Sequence, residues 1–211
     1  MPYQYLVVWL LAAVVAVLVV VVWRLSRTNR RLRAELRGRR TVEADLHQKS
    51  STDVVTGVLN RSGFMDALGH ECISAARHGY PLAVVMLDFD NFKKINDTYG
   101  HAFGDRTLVA VARACRSAVR EPDFVGRLGG DEFAVGMPQT DAEGGRQSAE
   151  RIRAAVAATS VPLPGGGAMS ITTSVGCVVL QNTDTLQSLL ARCDRAVYEA
   201  KRLGRNRVAA S

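Results

Sequence analysis

Two short acidic groups stand where a chain could do chemistry. Asp88 and Asp90 follow the apolar run at 82–87. That places Asp88 at the carboxyl end of a buried strand, where open α/β sheets usually bind their ligands. Asp131 and Glu132 follow Gly129 and Gly130, two glycines between two apolar segments. If those segments form a hairpin packed beside the first strand, Asp88 and Asp131 meet. Clustered carboxylates repel one another, and hard oxygen donors suit Mg²⁺, which takes one or two carboxylates together with substrate phosphates. On spacing alone a second reading is equally good, in which Asp90 caps the next helix and Asp131 serves the turn.

The stretch 96–105 is rich in special residues: Asn96, Asp97, Gly100, His101, Gly104 and Asp105. An amide and a carboxylate can read a purine edge, the carboxylate accepting from guanine N–H groups and the amide donating to ring acceptors. Taken by itself, the segment is as well explained by a turn with a helix cap at Asp105. Lys201 and Arg205, four residues apart, could hold a triphosphate. Two cations at a helix C-terminus also complement its dipole, so that alternative stays open too.

These residues need elements to position them. Turn-forming residues at 53–61 precede an expected helix at 62–78. The continuous apolar run 82–87 predicts a strand buried on both faces. Helices are expected at 91–98 and 104–120, with Leu108, Val111, Ala112 and Cys115 at helical spacing. Segments 124–128 and 132–137 read as a hairpin whose glycines meet the demand of a type I′ turn for positive φ at both centres. A helix at 142–158, a Pro/Gly loop at 161–167, a strand at 171–180, a helix at 186–202 and a last strand at 207–210 complete the pattern. Alternating strands and helices with one hairpin predict an α/β or α+β sheet domain flanked by helices. No internal repeat is visible.

The composition needs dividing before it is read. The chain has 211 residues, 47% hydrophobic, with a formal net charge of +7. From Tyr5 to Trp23 there is no charged residue, and that length of helix spans roughly the hydrocarbon thickness of a bilayer. Residues 24–50 hold eight Arg and one Lys against Glu35, Glu43 and Asp45, whereas 51–211 hold 18 basic and 17 acidic residues. The basic excess therefore belongs to a short segment after the apolar run, which argues against a nucleic-acid-binding domain with a basic face of its own. It fits the positive-inside signal, with a short external N-terminus at 1–4, a transmembrane helix at 5–23 and the domain at 51–211 in the cytoplasm. Arg-rich sequence there also suits anionic lipid. Leu25, Leu32, Leu36 and Leu46 give the 24–50 linker a partial heptad pattern, which reads equally as a short parallel coiled coil or a solvated stalk. Cys72, Cys115, Cys177 and Cys193 form no Cys-x-x-Cys pair and read as small apolar packing groups.

Gly129-Gly130-Asp131-Glu132-Phe133, with the run from Asp88 to Asp97 and Gly100-His101, resembles the GGDEF family of diguanylate cyclases. So do the opening Asp53…Thr56-Gly57…Asn60-Arg61, the strand Ser174-Val175-Gly176 and the closing Lys201…Gly204-Arg205-Asn206. The resemblance covers 51–211. Val55, where the opening motif usually has Leu, is the one departure noted.

The resemblance implies a palm-like sheet of the nucleotide-cyclase type and condensation of two GTP into cyclic di-GMP with release of pyrophosphate. It implies that Asp88, Asp131 and the backbone carbonyl of Phe89 bind Mg²⁺, with Mn²⁺ as an alternative, and that Asp131, with Glu132 beside it, accepts the proton of the attacking 3′-hydroxyl. Asn96, His101 and Asp105 would bind the nucleotide, and Lys201 and Arg205 its phosphates. One domain holds one GTP, so a homodimer at the inner membrane is implied. Arg120-Glu121-Pro122-Asp123 matches the family's inhibitory motif in residues and in its offset from Gly129. Cyclic di-GMP is then expected as a feedback ligand on Arg120 and Asp123, with Arg151 as a further contact. An inactive receptor for GTP or cyclic di-GMP, or a membrane-tethered scaffold, are the alternatives; intact motifs argue against both.

Overall fold

The apolar run ending at Asp88 becomes the central strand of a five-stranded sheet. The computed structural model describes residues 23–24 and 51–210. Its elements begin with α1 (Arg61–His78), β1 (Leu82–Phe89), α2 (Phe92–Tyr99) and α3 (His101–Ser117). The hairpin strands β2 (Phe124–Gly129) and β3 (Glu132–Pro138) come next, then α4 (Ala142–Ala157). The short strands β4 (Ser160–Pro162) and β5 (Ala168–Ser170) lead to β6 (Thr173–Val179), α5 (Leu186–Arg202) and β7 (Val208–Ala210). The expected membrane helix at 5–23 and linker at 24–50 lie, apart from Trp23 and Arg24, outside the described residues. Among the described residues no helix is long and apolar enough to cross a membrane.

The sheet order is β2-β3-β1-β6-β7, antiparallel except for the parallel β6–β7 pair. Successive side chains of a strand point to opposite faces, and β1 divides accordingly. Ala83, Val85, Leu87 and Phe89 pack with Phe103, Leu108, Val111 and Ile152 from α3 and α4. Leu82, Val84 and Met86 pack with Phe64 and Leu68 of α1 and Leu189, Cys193 and Val197 of α5. Full burial of each such Leu, Val or Phe side chain contributes roughly 1.5–3 kcal/mol before entropy is counted. The same parity turns Asp88 towards the α5 face. Its partner across the ladder is Glu132, and directly opposite residues share a face.

Gly176 lets α5 come down onto that face. A Cβ there would stand 2.6 Å from the Cys193 carbonyl oxygen and 2.7 Å from the Val197 nitrogen. The glycine of the Ser174-Val175-Gly176 motif thus sets how closely α5, with Lys201 on its last turn, approaches the sheet.

Four local expectations are corrected. Segment 161–167 is the middle of a β4–β5 ribbon rather than a plain loop; three-residue strands are too short to show a period, and Pro162 hides one of them. The helix expected at 104–120 runs from His101 to Ser117, so Asp105 lies inside it and caps nothing. The hairpin does not have positive φ at both centres. Gly129 pairs with Glu132 across a β-bulge, and in the Gly130-Asp131 turn only Gly130 takes positive φ (+46°). Asp90 is not a cap either: Asn91, at φ +61°, occupies that position. All four cysteines are free; burial pushes the Cys115 thiol up to about 12 and that of Cys177 to about 11, consistent with inert packing groups.

Candidate active site

Asp88, Glu132 and Lys201 converge in a cleft of about 170 Å³ between the β1–β3 ladder and α5. Lys201 Nζ lies 2.6 Å from Asp88 Oδ1, with both side chains partly covered. Burial lifts the Asp88 carboxyl above its ordinary value, aided by the charges of Asp131 and Asp90 and opposed by the hydrogen bond and charge of Lys201. Burial likewise lifts Glu132, followed by the charges of Asp88, Asp194 and Asp131. The cleft therefore sets three carboxylates, Asp88, Glu132 and Asp194, against one ammonium group, with the charge of Asp131 acting on Asp88 and Glu132 from the adjoining turn.

A hard divalent cation fits that excess of oxygen donors and negative charge. Among the described residues no three His, Cys, Asp or Glu side chains group closely enough to hold a metal by themselves. Asp88 and Asp131 would have to be joined by a backbone carbonyl, such as that of Phe89, and by ligand oxygens, as suits Mg²⁺.

The far wall of the site is built by buried polar ties. Asp90, 6% exposed, accepts hydrogen bonds from the Thr172 and Ser174 hydroxyls, both at 2.7 Å, and from the Asn206 amide at 3.1 Å. It thus pins the loop after α5 to the end of β1. Arg205 and Asn206 hold left-handed backbone there, at φ +61° and +44°. Such strain costs on the order of 1–3 kcal/mol per residue and persists only where the surroundings enforce it. Here Asp90 and the 2.6 Å bond from Arg153 to the Asn206 carboxamide do so, and Arg205 is left exposed.

Asn96, His101 and Asp105 stand on the α2–α3 pair. The Asn96 side chain packs over Gly104, His101 is exposed on the first turn of α3, and Asp105 lines a separate cavity of about 660 Å³ with Arg106 and Arg113. Beyond the other end of the β1–β3 ladder, Arg120 and Arg151 line a cavity of about 520 Å³ with Pro81, Thr140, Gln147 and Ser148. Arg120 donates to Thr140 Oγ1 at 2.6 Å, and its own amide donates to Asp123 Oδ2 at 2.9 Å. Asp123 lines a neighbouring cavity of about 430 Å³, which Arg120 also touches. The Asp123 Oδ1 atom is buried and has no hydrogen-bond partner among the described residues.

Asp194 and Tyr198 line the cleft beside Lys201 and were not expected from the sequence. The signal was present: 194, 198 and 201 share one face of α5 at helical spacing.

The mixed sheet, its flanking helices and the carboxylates at the end of its central strand define a palm-like α+β domain. The family model for "Diguanylate cyclase, GGDEF domain" matches residues 50–207, and the chain belongs to that family. It is 41% identical over 164 residues to the diguanylate cyclase DgcP of Pseudomonas aeruginosa, covering 78% of this chain and 24% of that protein. It is 38% identical over 156 residues to the diguanylate cyclase DosC of Escherichia coli, covering 74% of this chain and 34% of that protein. The chain thus spans about a quarter to a third of the length of these relatives. Among solved structures it resembles the GGDEF domain of DgcB from Caulobacter crescentus in complex with c-di-GMP. That match has a TM-score of 0.72 and 34% identity, and covers 76% of this chain and 92% of that one.

Proposed function

We propose that the chain is a membrane-anchored diguanylate cyclase, condensing two GTP into cyclic di-GMP and two pyrophosphates. The observation that carries this reading is the cleft itself, with Asp88 opposite Glu132 in register and Lys201 on Asp88. Each 3′-hydroxyl attacks the α-phosphorus of the other GTP; an O–P bond forms, the bond to pyrophosphate breaks, and the proton passes to the Asp131 carboxylate. Glu132 stands beside Asp131 and opposite Asp88 in the ladder. Bound at Asp88 and Asp131, Mg²⁺ would supply positive charge to the reacting phosphate and the leaving pyrophosphate. Asn96 and Asp105 read guanine, His101 contacts the nucleotide, and Lys201 and Arg205 hold its phosphates.

Each domain holds one GTP, so two copies must face one another, and positioning in that homodimer supplies much of the rate. The linker at 24–50 and the span at 5–23 bring copies together in the inner membrane, with residues 1–4 outside and the domain in the cytoplasm. Cyclic di-GMP then feeds back on Arg120 and Asp123, with Arg151 as the further contact. The buried Asp123 oxygen, without a hydrogen-bond partner among the described residues, and the cavity that Arg120 and Arg151 line together support that reading. The test is incubation of the full chain with GTP and Mg²⁺, followed by nucleotide chromatography at several protein densities. Cyclic di-GMP whose specific rate rises with density is expected; intact GTP refutes the enzyme, and a density-independent rate from protein shown to be monomeric refutes the dimer.

A further inference from the structure

Arg127 sits in β2, where the ladder slips between Arg127 and Gly129, and its guanidinium reaches in two directions. Nε and Nη2 both donate to the Gly130 carbonyl, at 3.0 and 2.8 Å. Nη1 donates to both oxygens of the Asp53 carboxylate, at 3.2 and 3.3 Å. The two side chains are 15% and 18% exposed. This ion pair is thus more sheltered than the surface pairs that contribute little.

Asp53 is itself fixed. It accepts from the Thr56 amide at 2.9 Å and the Thr56 hydroxyl at 2.6 Å. Its backbone closes the turn through bonds with Gly57 and Val58. Burial would raise its carboxyl, yet the bonds from Thr56 and Arg127 bring it below the ordinary value. The segment is then joined to β2 by the Leu59 amide to the Val125 carbonyl and the Arg127 amide to the Leu59 carbonyl. The opening motif, which the proposed reaction does not use, is therefore tied through Arg127 to the turn that carries Asp131.

A turn that begins with two glycines has little stiffness of its own. The Gly130 carbonyl belongs to the planar peptide unit whose nitrogen is that of Asp131, so holding this oxygen fixes the plane from which the Asp131 side chain springs. Two donors from one rigid guanidinium resist rotation of that plane; a lysine ammonium has no such fork.

We propose that Arg127 is the positioning residue for Asp131, clamping the Gly130 carbonyl while Asp53 of the opening turn anchors the clamp. The inference rests on the cyclase reading and assigns that reaction a residue outside its cleft. Misplacement of a reacting group by about 1 Å costs on the order of 10²-fold in rate.

The test compares wild type, Arg127→Lys and Asp53→Asn in the full chain, with thermal unfolding as the check of fold. Arg127→Lys should lower kcat by roughly 10- to 100-fold, leave KM for GTP within about twofold and raise the half-saturating Mg²⁺ concentration. A folded Arg127→Lys with kcat within about twofold of wild type, or with its loss carried by KM, overturns the proposal. If Arg127→Lys does not fold, Asp53→Asn decides: a several-fold lower kcat at unchanged KM supports the clamp, and an unchanged kcat overturns it. A wild type that never converts GTP refutes the cyclase reading instead. Mn²⁺ binding in the presence of a non-hydrolysable GTP analogue then judges the clamp alone: weaker binding in Arg127→Lys supports it, and equal binding overturns it.

Discussion

Substituting Ala for Gly104 should weaken GTP binding without weakening the fold. Gly104 is buried in the first turns of α3, and a Cβ there would overlap Asn96 Oδ1, standing 3.0 Å from the Asn96 Cγ and 3.4 Å from the Phe92 Cζ. The Phe92 contact is ordinary packing, so the strain falls on the free end of the Asn96 side chain. That amide can swing aside at small cost in stability. Ala in place of Gly inside a helix gains about 1 kcal/mol, so the thermal midpoint should hold or rise. The displaced amide would lose one or two hydrogen bonds to guanine, each with a net value of about 0.5–1.5 kcal/mol. At about 1.4 kcal/mol per factor of ten, KM should rise roughly 2- to 100-fold while kcat changes little. Steady-state kinetics and titration with a non-hydrolysable GTP analogue measure this directly. A stable Gly104→Ala protein with wild-type KM and wild-type analogue affinity would remove Asn96 from the base-reading role.

Three further outcomes are expected. Asp131→Asn should lower product formation at least ~10²-fold, the scale of a lost general base, with thermal unfolding unchanged; a near wild-type rate would overturn the assignment of Asp131. Glu132→Gln concerns pH: a carboxyl held above its ordinary pKa by burial and acidic neighbours contributes stability at low pH, and that contribution is lost as pH rises through the folded value. Without metal, Glu132→Gln should therefore melt like wild type at acid pH and above it at pH 8, and the same difference at both would contradict the electrostatic account. Arg120→Ala should keep catalysis but let time courses run closer to GTP exhaustion; equal inhibition by added cyclic di-GMP would withdraw the product site.

What the sequence disclosed was what is local. The run 82–87 is apolar without interruption because β1 is covered on both faces, and the stop at Asp88 marks the strand's end in sequence and in space. The glycine pair located the hairpin, though not its turn type, since the bulge beside Arg127 depends on how β2 meets the opening segment. Helical spacing found α5, but Lys201 was read as a phosphate ligand or as a cation complementing the helix dipole. Its bond to Asp88 joins residues more than a hundred positions apart, which no local pattern carries. The cap alternative for Asp90 failed for the same reason, because its partners Thr172, Ser174 and Asn206 arrive from the far end of the domain. The β4–β5 ribbon was missed because three residues do not make a period.

The position of β1 also bears on how the domain is made. Val85 pairs with Val135 on one side and with Cys177 on the other, about fifty and about ninety residues later in the chain. Closing such loops costs entropy before any ladder bond repays it, and topologies dominated by distant pairings fold slowly. At synthesis rates of about 5–20 residues per second, the most apolar segment of the domain waits on the order of ten seconds for its second neighbour. During that interval it is an open strand edge of the kind that pairs with other chains. Nascent copies should therefore be more prone to aggregate than the finished domain, whose central strand has no free edge.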